Sequence, residues 1–327
     1  MKTDLHSLGA FALTTTATIG RIRQRRQPGL SCTVRPDCCR FEDWKERDLL
    51  YAGCDLGVVS AKAAIIDDNG PLAFEILPYN GFPQEAAAEV MKRALDRAGV
   101  ARGRIDRCLS TGFGGKAVPH SDGVVPDTVC LQRAVRKLNP KVRTVINVGG
   151  HSFTVFHTGD TGGLGESAVT DICTAGMGML LEAISTALEV PLDDMIWQSI
   201  SSGKTLFIDN QCPVFAESEA ISLINEGYDR CDVVAGVASA VATKIAGLAR
   251  RLGVKKEVAM VGGVAKNRLV MANLEKNLRL RFASLGGFDP QIIAAYGAAL
   301  LAGEGCSLDS QSLSSAAAEH LHRKGKP

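Results

Sequence analysis

The chain has 327 residues, 46% of them hydrophobic, so it can bury a substantial core and is not disordered throughout. Its 37 Lys and Arg residues against 35 Asp and Glu leave a formal charge of +2, which supplies no basic field for nucleic acid or acidic lipid and points instead to a small-molecule or protein partner. No run approaches the roughly 18 consecutive apolar residues that cross a bilayer, and the ten scattered cysteines argue for reduced thiols or metal ligation rather than a secreted disulfide scaffold. A cytoplasmic location is expected.

Residues 1–48 read as a separate extension, or as the product of a start codon placed too early. Leu13 to Gly20 is a weak apolar core for a signal peptide, and Arg21, Arg23, Arg25 and Arg26 lie on the wrong side of it. Cys32, Cys38 and Cys39 follow.

From Tyr51 to Gly70 an apolar run, a glycine turn at Gly57 and a second apolar run predict a hairpin. The stretch PQEAAAEVMKRALDRA has a proline start and helical spacing, and RIDRCLSTGFGG reads as a strand entering a glycine loop. A second hairpin is expected over Val142 to Phe156, with Gly149 and Gly150 at its turn. Two strand-glycine-strand units, each opening a mixed α/β stretch, suggest a duplicated fold with a cleft between halves at 49–141 and 142–302. Val258 to Val261 reads as a buried strand, Gly262 and Gly263 as a turn, and Asn267 to Leu280 as an amphipathic helix. The helix Pro290 to Ala302 is apolar enough to pack back across the molecule, and the Ser- and Ala-rich tail over 303–327 is expected to be frayed.

Two cysteines stand before predicted helices. Cys173 precedes a helix with Leu180, Leu181, Ile184 and Leu188 on one face, and Cys212 precedes Pro213 at a first-turn position. Helix N-termini stabilise thiolates and anionic clusters through free N–H groups and the dipole. Two thiolates are too few for a [4Fe–4S] cluster, so a second subunit across a two-fold axis would have to supply the other pair. On spacing alone, two buried free thiols are the leading reading.

The ordered motifs GCDLGVVSAK, STGFGGK, INVGGHSF, DICTAGMGMLLE, CPVFAESEAISLINEG, VGGVAKN and YGAALLA resemble the BadF/BadG/BcrA/BcrD ATPases, which include activators of 2-hydroxyacyl-CoA dehydratases and ATPase subunits of benzoyl-CoA reductase. The resemblance implies an α/β, duplicated actin-like fold of the acetate-kinase, sugar-kinase and Hsp70 type. It also implies one [4Fe–4S] cluster per dimer held by Cys173 and Cys212, and ATP with Mg²⁺ in the cleft. Asp55, the catalytic candidate, Gly57, Ser60 and Lys62 would belong to the first phosphate hairpin, and Gly149 and Gly150 to the second. Gly262, Gly263 and Asn267 would lie at the adenosine. Lys62 can equally be a solvated surface lysine.

The implied partners are a paralogous ATPase subunit or a second copy, larger catalytic subunits, and a ferredoxin or flavodoxin as electron donor. No nucleic acid or membrane partner is implied. Two loops depart from the family. Val58 and Val59 stand where hydroxyls are common, and Asn147, His151 and Ser152 replace an Asp-led GGQD run. An amide lacks the charge of a carboxylate base or metal ligand, so hydrolysis is expected to be weakened. That favours one half of a heterodimer passing low-potential electrons to benzoyl-CoA reductase, in anaerobic aromatic degradation, over a dehydratase activator. A non-redox kinase and a nucleotide-sensing regulatory subunit are the readings from other classes.

Overall fold

Two sheets built on one plan organise the chain. In the computed structural model, which describes residues 48–159, 164–169, 176–189, 191, 206–208 and 213–305, the first sheet has the order β3-β2-β1-β4-β5 and the second β8-β7-β6-β9. Each places its third, second, first and fourth strands side by side. The described residues belong to one compact unit beginning at Asp48. The extension, the tail beyond residue 305, Cys173 and Cys212 lie outside the described residues.

β1 (Leu50–Leu56) and β2 (Ser60–Asp67) pair antiparallel. The turn between them is closed by the Gly57 amide donating to the Ser60 carbonyl at 3.1 Å. The expected hairpin continues into a third strand, β3 (Gly70–Pro78), entered through Asp67, whose Oδ1 accepts from the amides of Asn69 and Gly70. α1 (Pro83–Ala98) lays Ala86, Ala87, Val90, Ala94 and Leu95 on this sheet. It ends at Gly99 in the left-handed conformation, φ 67°. β4 (Arg107–Thr111) and the short β5 (Gly123–Val124) extend the sheet in parallel, and α2 (Asp127–Leu138) leads out of it.

The second sheet repeats the meander with β6 (Thr144–Val148), β7 (Phe153–Thr158) and β8 (Leu164–Val169). Among the described residues three helices follow, α3 (Met177–Ala187), α4 (Pro213–Asn225) and α5 (Arg230–Leu252), before β9 (Val258–Val261) returns parallel to β6. α5 is long and apolar enough to cross a membrane by length and composition, yet most of it is buried in the core with β6, β7 and α3. The last elements among the described residues are α6 (Arg268–Leu278), N-capped by Asn267, and α7 (Ile293–Gly303).

α2 and α7 share one hydrophobic cluster that includes Ala64 and Ile66 of the first sheet and Val145, Phe156 and Val261 of the second. α7 thus packs back on the first half. Glycines permit the approach: a Cβ at Gly297 would stand 1.9 Å from the Cys130 carbonyl oxygen, and one at Gly53 would stand 2.1 Å from that of Ala295.

Candidate functional site

A cavity of about 320 Å³ is bounded by the β1–β2 turn, the loop after β4, the start of α2, the β6–β7 turn, the first turns of α3 and the loop after β9. Asp55, Gly57, Ser60, Lys62, Gly149, Gly150, Gly262, Gly263 and Asn267 all line it. Residues far apart in the chain share one wall because both sheets direct their first turns to the same place.

Asp55 and Lys62 are register partners across β1 and β2. Their carboxylate and ammonium meet at 3.1 Å with side chains only 13% and 11% exposed. Lys62 is therefore a buried, ion-paired cleft residue and not a solvated surface lysine. A Cβ at Gly57 would come within 2.8 Å of the Lys62 ammonium, and one at Gly112, φ 86°, within 2.3 Å of Asp55 Oδ1. Glycine at these two places makes room for the ion pair. The turn itself is pinned from outside, where the Tyr79 hydroxyl donates to the Gly57 carbonyl at 2.7 Å.

Asp127, which belongs to none of the sequence motifs, is the first residue of α2 and faces the same cavity. Burial, and secondarily the charge of Asp55, raise its carboxyl above the usual aspartate range, while the Thr128 amide donating to Oδ1 at 2.7 Å works against that shift. Asn147 Nδ2 donates to Asp127 Oδ2 at 3.5 Å. The signal that could have found Asp127 is Pro126-Asp127-Thr128, a helix start directly after the strand and glycine loop of the first half. Glu182 of α3 also lines the cleft, its carboxyl raised by burial.

The two departing loops touch. A Cβ on Gly150 would lie 2.4 Å from Val59 Cγ2, so the valine of the first turn rests on the glycine of the second. The His151 and Phe113 rings lie 5.9 Å apart between centroids, tilted by 57° to each other. On its other side the β6–β7 turn carries α3: a Cβ at Gly178 would be 2.8 Å from Gly150 Cα, and the Met179 amide donates to the Gly150 carbonyl at 3.0 Å.

The sequence profile of the BadF/BadG/BcrA/BcrD ATPase family matches residues 52–302. The chain belongs to that family. Over 252 residues it is 32% identical to the activator of lactoyl-CoA dehydratase from Anaerotignum propionicum, covering 77% of this chain and 96% of that one. Its fold superposes on the activator of the 2-hydroxyisocaproyl-CoA dehydratase from Clostridium difficile with bound ADPNP, with a TM-score of 0.74 and 28% identity over 85% of this chain and 99% of the other. A benzoyl-CoA reductase subunit from Thauera aromatica is more distant, 23% identical over 260 residues, covering 77% of this chain and 92% of that one. As a BadF/BadG/BcrA/BcrD ATPase the chain has the duplicated actin-like α/β fold, with the paired sheet orders described above.

Within this BadF/BadG/BcrA/BcrD ATPase the expected cluster ligands Cys173 and Cys212 lie outside the described residues, but the helices that follow them do not. α3 begins at Met177 and α4 at Pro213, the residue after Cys212, and the two helices lie against each other. The four described cysteines are Cys54, Cys108 and Cys130, all buried, and the half-buried Cys231; no cluster of three metal-ligating side chains occurs among the described residues. Asn267 lines the cleft, but its Oδ1 accepts from the Leu269 and Val270 amides as the α6 cap, which leaves its Nδ2 for a ligand.

Proposed function

We propose that this chain is the ATP-dependent activator of a 2-hydroxyacyl-CoA dehydratase, passing low-potential electrons from a ferredoxin or flavodoxin to the catalytic partner. The observation that carries the reading is a cleft that brings together the buried Lys62, the carboxylates of Asp55, Asp127 and Glu182 and the glycine turns at Gly57 and at Gly149 and Gly150, on a chain 32% identical to a lactoyl-CoA dehydratase activator. The greater similarity to activators than to the benzoyl-CoA reductase subunit favours this role over the reductase role that the altered loops suggest.

In this proposal Lys62 Nζ and the backbone of the two glycine turns hold phosphate oxygens, since ammonium and closely approached N–H groups are their natural partners. Asp55 would hold the cation that accompanies ATP, Mg²⁺ being suited to carboxylate oxygens. Asp127 Oδ accepts a proton from the attacking water, and a carboxyl raised by burial is a stronger base than a solvated one. Asn147 orients that carboxylate through Nδ2, so the amide that replaces an aspartate leaves the cleft with a base. The fit for ATP rests on this donor set and on the cavity. A [4Fe–4S] cluster, held by Cys173 and Cys212 of two chains, would supply the one-electron chemistry.

Coupling needs an element that both sites bias. The Gly150 carbonyl, held by the Met179 amide, ties the nucleotide turn to the first turn of α3, which starts four residues beyond Cys173. Phe207 and Phe215, strongly exposed near and on α4, are apolar surface for the second subunit that completes the cluster.

Anaerobic preparation with its dehydratase tests the role. Activation requiring ATP and a reductant, and lost in Cys173→Ser or Cys212→Ser, is the expected result. Phosphorylation of a sugar or acetate by iron-free protein would support the kinase reading. Co-purification with reductase subunits and activity on benzoyl-CoA would support the alternative within the family.

A further inference from the structure

At the end of the second sheet away from the cleft, three loops are tied to one another. The Glu257 carbonyl accepts from the Arg143 and Thr144 amides at 2.7 and 3.1 Å, and the Thr144 hydroxyl donates to the Lys255 carbonyl at 2.7 Å. The Ala283 amide donates to the Val258 carbonyl at 2.8 Å, and the Arg250 guanidinium near the end of α5 donates to the Asn277 carbonyl of α6. Glu275 fastens the third loop, its Oε1 accepting from the Phe282 amide at 3.0 Å and its Oε2 from Arg281 at 2.5 Å. Thr144 and Val258 are register partners where β6 and β9 begin, whereas the cleft residues Asn147 and Gly262 stand where those strands end.

These loops carry the segments KVR (141–143), RRLGVKKE (250–257) and EKNLRLR (275–281), which hold nine lysines and arginines against Glu257 and Glu275. All nine cations are exposed. The whole chain has a formal charge of only +2, so the rest of it is net negative and the near-neutral total conceals one strongly positive pole. The three segments contain no aromatic residue, and none of the large hydrophobic side chains exposed among the described residues lies in them.

We propose that this pole is a docking surface for an acidic protein, held by charge and not by apolar burial. Five of the nine cations are arginines, whose planar fork pairs carboxylates in a fixed geometry. Single-stranded nucleic acid is held through aromatic side chains on which its bases stack, and the pole has none. A membrane surface is held through apolar side chains that enter the acyl boundary, and none is exposed here. Glu257, exposed among the lysines, repels the uniform negative charge of a phosphate backbone but pairs with a basic side chain set among the carboxylates of a protein. An interface of this kind forms fast under electrostatic steering and weakens steeply with salt. The pole and the β6–β7 turn that carries α3 lie at opposite ends of β6, so a protein docked here leaves the cleft open. The inference stands on the charge distribution alone and is independent of the nucleotide and cluster readings.

The test is binding of the anaerobically prepared full chain to three probes at equal salt: fluorescently labelled poly-L-glutamate as the acidic polypeptide, a labelled DNA duplex, and vesicles containing phosphatidylglycerol. Poly-L-glutamate is expected to bind most tightly, with an affinity that falls about tenfold or more between about 50 and 200 mM salt. The double variant Lys255→Glu with Lys256→Glu should weaken that binding about tenfold, whereas Lys92→Glu with Lys116→Glu, the same change in net charge made on the first half, should change it less than about twofold. Lys141→Glu with Lys276→Glu reads the same face from the other two loops. Equal melting temperatures of the variants and the unaltered chain separate a lost contact from a lost fold, and the two pole variants keep the test open should one of them fail to fold. Poly-L-glutamate left unbound at the lowest salt, or weakened equally by the pole and control variants, overturns the inference. A duplex or vesicle held more tightly than poly-L-glutamate also overturns it, by assigning the pole to nucleic acid or to a membrane.

Discussion

Lys62→Met removes the ammonium that neutralises Asp55 while keeping the length and most of the volume of the side chain. At 3.1 Å and an effective dielectric of about 20, the attraction between the two charges is about 5 kcal/mol before desolvation is counted. Burying both ions offsets much of that. Removing one partner of a fully buried pair typically costs about 3–5 kcal/mol, because a charge is left without its partner. The Asp55–Lys62 pair lies in a cleft that water enters, so we expect about 2–3 kcal/mol for Lys62→Met, and a similar loss for Asp55→Asn. For a folded body of this size that corresponds to a fall in Tm of about 5–10 °C. Equilibrium urea unfolding of the two single variants and the double variant forms the assay. The double variant leaves no unpaired charge and should be no less stable than either single one, giving a coupling of about 2 kcal/mol. Additive losses, with coupling below about 0.5 kcal/mol, would refute the claim that the two charges stabilise each other.

Asp127→Asn should abolish ATP hydrolysis while ATP still binds, as measured by phosphate release beside calorimetry. Because burial and then Asp55 raise this carboxyl above its ordinary 3.8, its contribution to stability is fully present below 3.8 and is lost as pH rises through the raised value, so the unaltered chain should lose stability relative to Asp127→Asn across that window in denaturation series at fixed salt. Gly297→Ala would place a methyl 1.9 Å from the Cys130 carbonyl, forcing α7 and α2 apart, and should cost at least about 3 kcal/mol in thermal or urea unfolding. Burial pushes the Cys108 thiol up to about 12 and raises Cys54 and Cys130 further, so peptide mapping after brief iodoacetamide treatment at about pH 8 should find Cys231 labelled first among the described cysteines.

Much of this architecture is legible in the sequence because local chemistry writes it. Apolar runs around Gly57 and around the glycines at 149 and 150 announce two hairpin turns, and proline at the start of α1 marks a helix. β3 is not legible, because its face is mostly half-exposed and its composition mixed, so it reads neither as a strand nor as a helix without its partner β2. α5 is hidden for another reason: burial on nearly all sides removes the amphipathic period by which a helix shows itself in sequence.

At the site, the glycines and Asp55 are visible as motifs. The burial of Lys62 is not, since only the register of β1 against β2 shows that it faces Asp55 and not solvent. Asp127 is hidden for a related reason: its importance comes from α2 entering the cleft beside Asn147, a contact across twenty positions that no spacing rule encodes.

The central claim, that a nucleotide cleft drives an electron carrier built from Cys173 and Cys212, is tested most directly by iron and acid-labile sulfide analysis of the anaerobically purified protein, with visible absorption followed on reduction and on addition of ATP. The account predicts about two irons and two sulfides per chain, bleaching on reduction, and loss of both elements in Cys173→Ser and in Cys212→Ser. Colourless, iron-free protein that still binds ATP would contradict it.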